Sequence, residues 1–198
     1  MFRTAFLVLL LFTVLTGFIY PVVVTEIAQL LFPWQANGSL IKDNHNKIIG
    51  SVLIGQSFTD PNYFWGRPSA TTPFPYNGAS SSGSNMGPLN TSFLISIKDR
   101  IVNLKKFDPK NNQAIPVDLV TASGSGLDPE ISPAAAFYQA SRIATTRGIP
   151  EVEIRQLIQE HIQARTLGIL GEPRVNVLLL NIALDQLRNT DGRTTPKP

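Results

Sequence analysis

The sequence predicts an α+β protein with one N-terminal transmembrane helix, followed by a single extracytoplasmic domain of about four helices and a few short strands. Three observations predict it. Thr4 to Thr25 carries no charged residue. Residues 47 to 58, KIIGSVLIGQSF, form an apolar run rich in β-branched side chains. Beyond residue 90, four stretches repeat apolar residues at the helical spacing of three to four.

The uncharged span is 22 residues long, and at about 1.5 Å per residue it crosses a hydrocarbon core of about 30 Å. Gly17 and Pro21 fall inside it and are tolerated in a membrane helix, with Pro21 expected to kink the outer end. A cleaved signal peptide has a shorter apolar region of about 7 to 15 residues and a small-residue cleavage site. PVVVTEIAQLLFPW, after Tyr20, offers no such site. Residues 1–32 therefore read as an uncleaved anchor. Arg3 and the amino terminus place its start in the cytoplasm, although Lys42 and Lys47 beyond the helix weaken the asymmetry. Thr13 and Gly17 are spaced as a small-xxx-small face for packing on a partner's helix.

Residues 33–188 form the outward domain, and 189–198, NTDGRTTPKP, a flexible tail. Gly50 and Gly55 interrupt the apolar run at 47–58, predicting one or two short strands with a tight bend. From Asp60 to Pro88 five prolines and repeated glycines exclude an ordinary helix. Leaving Tyr63, Phe64, Trp65, Phe74 and Tyr76 solvated would be costly, so this excursion is expected to be ordered, over the core or against a partner.

Four helices follow. Ser92 to Lys106 places Phe93, Ile97, Ile101 and Leu104 on one face. Pro133 to Arg147 is closed by Gly148, and Pro150 to Arg165 carries Ile154, Leu157, Ile158 and Ile162. Arg174 to Leu187 has a stripe of Val175, Leu178, Leu179 and Ile182, widened by Leu180, Leu184 and Leu187, and is expected to be central.

Outside the anchor the net charge is +3, modest and interspersed. LKKFDPK is the one compact basic cluster and no nucleic-acid motif accompanies it, which argues against DNA or RNA. Zero cysteines exclude a disulfide scaffold, a thiolate metal site and a cysteine nucleophile. No histidine or acidic spacing suggests a metal.

VTASGSGLDPEISPAAA, residues 120–136, sets small hydroxyl and glycine residues before a helix start capped by Ser132 and opened by Pro133. Such a loop is either a turn into the helix or an anion site. Gly124 and Gly126 would let backbone approach a phosphate, but no Gly-Lys-Ser/Thr ending makes a P-loop. In the turn reading, the hydroxyls of Ser123 and Ser125 matter little. In the phosphate reading, they are ligands.

Catalytic constellations are scarce. His45 lies in the polar turn KDNHNK, and His161 borders an apolar helical stripe. A hydrolase would have to combine Ser84 or Ser125 with His161 and Asp128, and neither serine sits in Gly-x-Ser-x-Gly. Ser96 and Lys98, two apart, point to different sides of a helix.

The anchor, then GSVLIGQSF, YFWGRPSA, GASSSGSNMGP, PVDLVTASGSGLDPEISPAAA and GEPRVNVLLLNIALD, resembles in content and order the KdpC family, the C subunits of the bacterial potassium-transporting Kdp ATPase. The resemblance runs from the anchor to about Arg188. It departs at Glu130, where the family commonly has histidine, and at Met86, which replaces a usual leucine of similar volume. It implies a non-catalytic subunit in the inner membrane, partnered by a channel-like potassium-binding subunit and a P-type ATPase subunit as well as by lipid. In the family, this subunit is a catalytic chaperone that raises the ATPase subunit's affinity for ATP. The resemblance further implies nucleotide contacts at Gln56, Ser123, Gly124, Ser125 and Gly126. An outward domain opposes that, because cytosolic ATP does not cross the membrane.

Overall fold

A computed structural model describes residues 1–43 and 45–190, with the side chains described to residue 187. The predicted tail lies outside the described residues apart from the end of the last helix. The chain divides into two compact units, Met1–Ser51 and a larger one from Val52 onward.

In the first unit, helix α1 (Phe2–Val14) passes through a π turn at Leu15–Ile19 into α2 (Tyr20–Leu31), giving a continuous, largely apolar helix of 30 residues. The expected disturbance at Pro21 takes the form of this turn. Pro21 has no N–H for the carbonyl of Gly17, and its ring crowds that carbonyl. The ladder shifts by one residue, so that Tyr20 N–H donates to Leu15 O and the helix continues. A single turn, α3 (Pro33–Ala36), leads to an antiparallel hairpin of β1 (Leu40–Lys42) and β2 (Ile48–Ser51). Asp43 Oδ1 accepts from the N–H groups of His45 and Lys47, at 2.8 and 2.9 Å, and so closes the hairpin turn. The hairpin corrects the expected strand at 47–58, since β2 stops at Ser51 and its partner is upstream.

In the second unit, residues 55–90 form neither helix nor strand. Helix α4 (Thr91–Phe107), capped by Asn90 Oδ1 on Phe93 N–H, and a 3-10 turn at Val117–Leu119 come next. The remaining elements are β3 (Glu130–Ile131), α5 (Pro133–Tyr138), α6 (Ala140–Arg147), α7 (Glu151–Glu160), β4 (Ile162–Gln163), β5 (Arg174–Asn176) and α8 (Val177–Thr190). The sheet is antiparallel in the order β3-β5-β4, with Val175 opposite both Ile131 and Ile162. The core gathers Ile131, Ile143, Ile154, Ile158, Val175, Leu180 and Leu184 from these elements. Phe64 and Trp65 join it from the irregular segment, which is thus a strap laid into the core.

Three predicted helix boundaries move. Pro133–Arg147 is interrupted at Gln139, Pro150–Arg165 ends at Glu160, and Arg174–Asn176 is a strand. Of the predicted stripe and its widening, Val175, Leu178, Leu180 and Leu184 are buried, together with Val177 and Asn181, while Leu179, Ile182 and Leu187 are half-buried. The residue missing from the sequence reading is Asn181, which is buried although polar and so has no place in an apolar pattern. Phe74, expected to be covered, is exposed.

The strap explains both the interruption and the buried asparagine. Asn181 Oδ1 accepts from Phe64 N–H at 2.8 Å, and its Nδ2 donates to Phe64 O at 3.0 Å. Gln139 repeats the arrangement on Trp65, accepting from N–H at 2.8 Å and donating to O at 3.1 Å. Arg142 donates to the carbonyls of Pro61 and Tyr63 and stacks over the Trp65 ring at 4.2 Å. A buried segment without secondary structure still has to satisfy its peptide groups, and these side chains do so.

Replacing Gln139 with methionine keeps the volume and strands both peptide groups of Trp65. Each costs about 1–3 kcal/mol when left unsatisfied. Urea unfolding of the full chain in detergent should therefore show a loss of about 2–5 kcal/mol, against no more than about 0.5 for Gln113→Met on the surface. Equal values for the two variants would mean that the pairing contributes nothing.

Candidate functional site

The serine–glycine loop lies along the strap. Ser123 is buried, its N–H donates to Pro68 O at 3.3 Å, and its Oγ accepts from Gly126 N–H at 2.9 Å. Ser125 Oγ accepts from Leu127 N–H at 3.1 Å. Ser125 O receives both Ser82 N–H and Ser81 Oγ, at 3.0 Å each. Ser69 Oγ donates to Gly126 O at 2.7 Å and accepts from Tyr76 N–H at 2.9 Å. Gly55 N–H donates to Leu127 O at 2.8 Å, so the residue before Gln56 is tied to the residue after Gly126. The fold thus brings Gln56 and Ser123–Gly126 into one neighbourhood.

The two loop glycines have different duties. Gly126 has φ +68, and a Cβ there would stand 2.6 Å from both Ser82 O and Thr71 Cγ2. Gly124 has nothing within 4 Å of such a Cβ. Ser123 is 4% exposed and turns its hydroxyl inward. It caps the turn from inside.

Arg67 fastens the same region. Its Nη1 meets Asp128 Oδ2 at 3.1 Å, and its Nη2 donates to Ala122 O at 3.3 Å. Tyr76 donates its hydroxyl to Arg67 O. Burial, reinforced by the Asp128 carboxylate and partly opposed by Arg67, pushes the Tyr76 phenol up to about 12. Glu130 pairs with Arg174 at 2.6 Å beside the β3–β5 ladder, both side chains being about one-third exposed.

Beside the loop, a cavity of about 290 Å³ opens between the strap and α4. Arg67, Trp65, Tyr76, Arg100 and Asn103 line it, with Ser57 and Thr59 at its edge. Arg100 Nη1 donates to Val120 O at 2.9 Å, and burial lowers the Arg100 pKa. Neither arginine belongs to the residues singled out from sequence. Arg67 had a signal, since it is the only charged residue between Asp60 and Lys98.

The hydrolase candidates are not assembled. Asp128 faces Arg67, while His161 lines a separate cleft with Gln163 and Leu179. His161 Nδ1 sits 2.8 Å from Leu157 O at the end of α7. Ser96 Oγ donates to Phe93 O within its own helix, and Lys98 is exposed. Among the described residues, no group of three acidic or histidine side chains has metal-holding geometry. Thr13 and Gly17 are both exposed on the apolar helix.

The family model described as KdpC, K+-transporting ATPase, c chain, matches residues 2–186. A Herpetosiphon aurantiacus protein named potassium-transporting ATPase KdpC subunit is 60% identical, covering 96% of this chain and 98% of its own. Proteins of the same name from Methylococcus capsulatus and Sorangium cellulosum are 58% and 54% identical over 94% of this chain, and over 98% and 97% of theirs.

Gly126→Ala should cost about 2 kcal/mol or more, from left-handed strain plus contact with the strap. Gly124→Ala in the same loop should stay within about 0.5. Thermal and urea unfolding of the full chain in detergent compare them, and similar losses would contradict the assigned roles. A third variant reads the pH dependence. The Tyr76 phenol titrates higher folded than unfolded, so its contribution is complete below about pH 10 and is lost as pH rises towards 12. Tyr76→Phe should remove about 2 kcal/mol of the decline in unfolding free energy across that window. An unchanged slope would place the alkaline sensitivity elsewhere.

Proposed function

The chain belongs to the KdpC family, and from that premise we propose that it is a non-catalytic accessory subunit of an ATP-driven potassium uptake complex. The observation that carries this reading is the 60% identity to a potassium-transporting ATPase KdpC subunit along nearly the whole of both chains. Its partners are a channel-like potassium-binding subunit and a P-type ATPase subunit. It supports their assembly and, as a catalytic chaperone, raises the ATPase subunit's affinity for ATP.

The chaperone effect is indirect. The apolar helix from Phe2 to Leu31, about 45 Å long at 1.5 Å per residue, spans a bilayer with length to spare. Arg3 favours a cytoplasmic start, which leaves the domain from residue 33 to 188 outside and out of reach of cytosolic ATP. The outer domain then acts on the ATPase subunit through neighbouring membrane helices, with Thr13 and Gly17 allowing close helix approach. Such coupling needs only that the two subunits favour the same state.

Direct nucleotide binding through Gln56 and Ser123–Gly126 is the second reading, favoured by the proximity of these residues. Against it, the Gly126 and Leu127 N–H groups, the loop's backbone donors, already donate to the Ser123 and Ser125 hydroxyls, and Ser123 is buried. A serine hydrolase finds no support, with His161 and Asp128 in separate clefts.

The chain has no cysteine, so a single Asn112→Cys substitution on the exposed surface gives one thiol to follow. In cells permeabilised only outside the plasma membrane, an impermeant maleimide should label it, and the Ser123→Ala/Ser125→Ala complex should keep its apparent ATP affinity within about twofold. Labelling only after membrane rupture would overturn the outward placement. A tenfold loss of ATP affinity in the double variant, with the complex still assembled, would restore the nucleotide site.

A further inference from the structure

The cavity between the strap and α4 has an unusual charge balance. Arg67 and Arg100 both line it, and no carboxylate does. Asp128, which pairs with Arg67, lines the groove on the other side of that guanidinium together with Glu130 and Asp118. Arg100 belongs to none of the ion pairs among the described residues, and its one hydrogen bond there is to a neutral carbonyl, Val120 O. The second guanidinium is incomplete too, since Arg67 Nε is buried without a hydrogen-bond partner. A half-buried cation lacking a counter-charge and a buried donor lacking an acceptor are both costly. One anion in the cavity would give Arg100 the counter-charge it lacks.

We propose that this cavity is a binding site for a phosphate group, held between the Arg100 and Arg67 guanidiniums. Guanidinium forks match the oxygens of phosphate, and Ser57, Thr59 and Asn103 add neutral donors around the same space. At about 290 Å³ the cavity lies at the small end of ligand sites, which run from about 300 to 1,000 Å³. It suits a phosphate with a short polar arm better than a nucleoside triphosphate. That chemistry comes from a membrane lipid headgroup or from free phosphate. Occupancy also bears on the loop, because Arg100 donates to Val120 O and Arg67 to Ala122 O, the carbonyls just before Ser123. The bound anion would orient both arginines and brace the serine–glycine loop from one side.

The test uses the full chain in an uncharged detergent at constant ionic strength. Inorganic phosphate and glycerol 3-phosphate are titrated, with binding read by calorimetry and by the thermal midpoint, and chloride serves as control. Saturable binding by either probe, weakened at least tenfold in Arg100→Gln and in Asn103→Leu but unchanged in Arg155→Gln, is the expected result. Glycerol 3-phosphate binding at least tenfold tighter than phosphate assigns the site to a lipid headgroup, and any other order assigns it to free phosphate. The unliganded thermal midpoint and circular dichroism verify that each variant is folded. No saturable binding by either probe overturns the proposal, as does binding that a folded Arg100→Gln and a folded Asn103→Leu both retain.

Discussion

The second unit depends on satisfying the peptide groups of a strap that enters the core without belonging to any helix or sheet. Phe64 is fully buried and Trp65 nearly so, which takes their N–H and C=O groups away from water. Asn181 and Gln139 meet them as a neighbouring strand would, one donor and one acceptor each. A primary amide offers a donor and an acceptor side by side in one plane, matching the N–H and C=O of a single residue. The helical elements bend to this need. Gln139 sits at the interruption between α5 and α6, itself 1% exposed, and Asn181 occupies the centre of the buried face of α8.

Once the strap is held, it holds the serine–glycine loop in turn. Arg67, Ser69 and Tyr76 follow Trp65 closely in the chain, and each bonds the loop or its flanks, or steadies a neighbour that does. Gly126 lies under the strap at a distance no Cβ allows, and Ser123 turns its hydroxyl inward to the Gly126 N–H. The Gly126 and Leu127 N–H groups are thereby donated within the loop. The cationic surplus lies next door, where Arg67 and Arg100 face a cavity without an acid. Glu130 belongs to the opposite groove, where its ion pair with Arg174 gives a carboxylate at this position a structural use that a neutral imidazole could not reproduce in the same form.

In the first unit the helix from Phe2 to Leu31 is long and apolar enough to cross a membrane. Inside hydrocarbon every backbone group needs an internal partner, so a proline in the helix demands a local remedy. The π turn at Leu15–Ile19 supplies it, shifting the bonding by one residue ahead of Pro21 without ending the helix.

The sequence by itself determined the long apolar N-terminal helix, the α+β class, the family, and the existence of all four helical stretches, because each rests on local signals: absence of charge, periodicity, caps and ordered motifs. The glycine at 148 and the capping serine at 132 mark helix ends that the structure keeps. Boundaries at Gln139, Glu160 and Asn176 were decided by tertiary structure. Gln139 turns to reach Trp65, while Ile162 and Arg174–Asn176 leave helical geometry to pair with one another in a sheet built from distant segments. The place of Asn181 in the buried face of α8 was invisible for the same reason, since it is polar in sequence and becomes a core residue only where the Phe64 peptide group arrives from 117 positions away. The candidate sites divide likewise. Composition can single out a serine–glycine loop. Whether its hydroxyls face outward, and whether two arginines 33 residues apart share one cavity, depends on where the strap crosses, and no local pattern encodes a crossing.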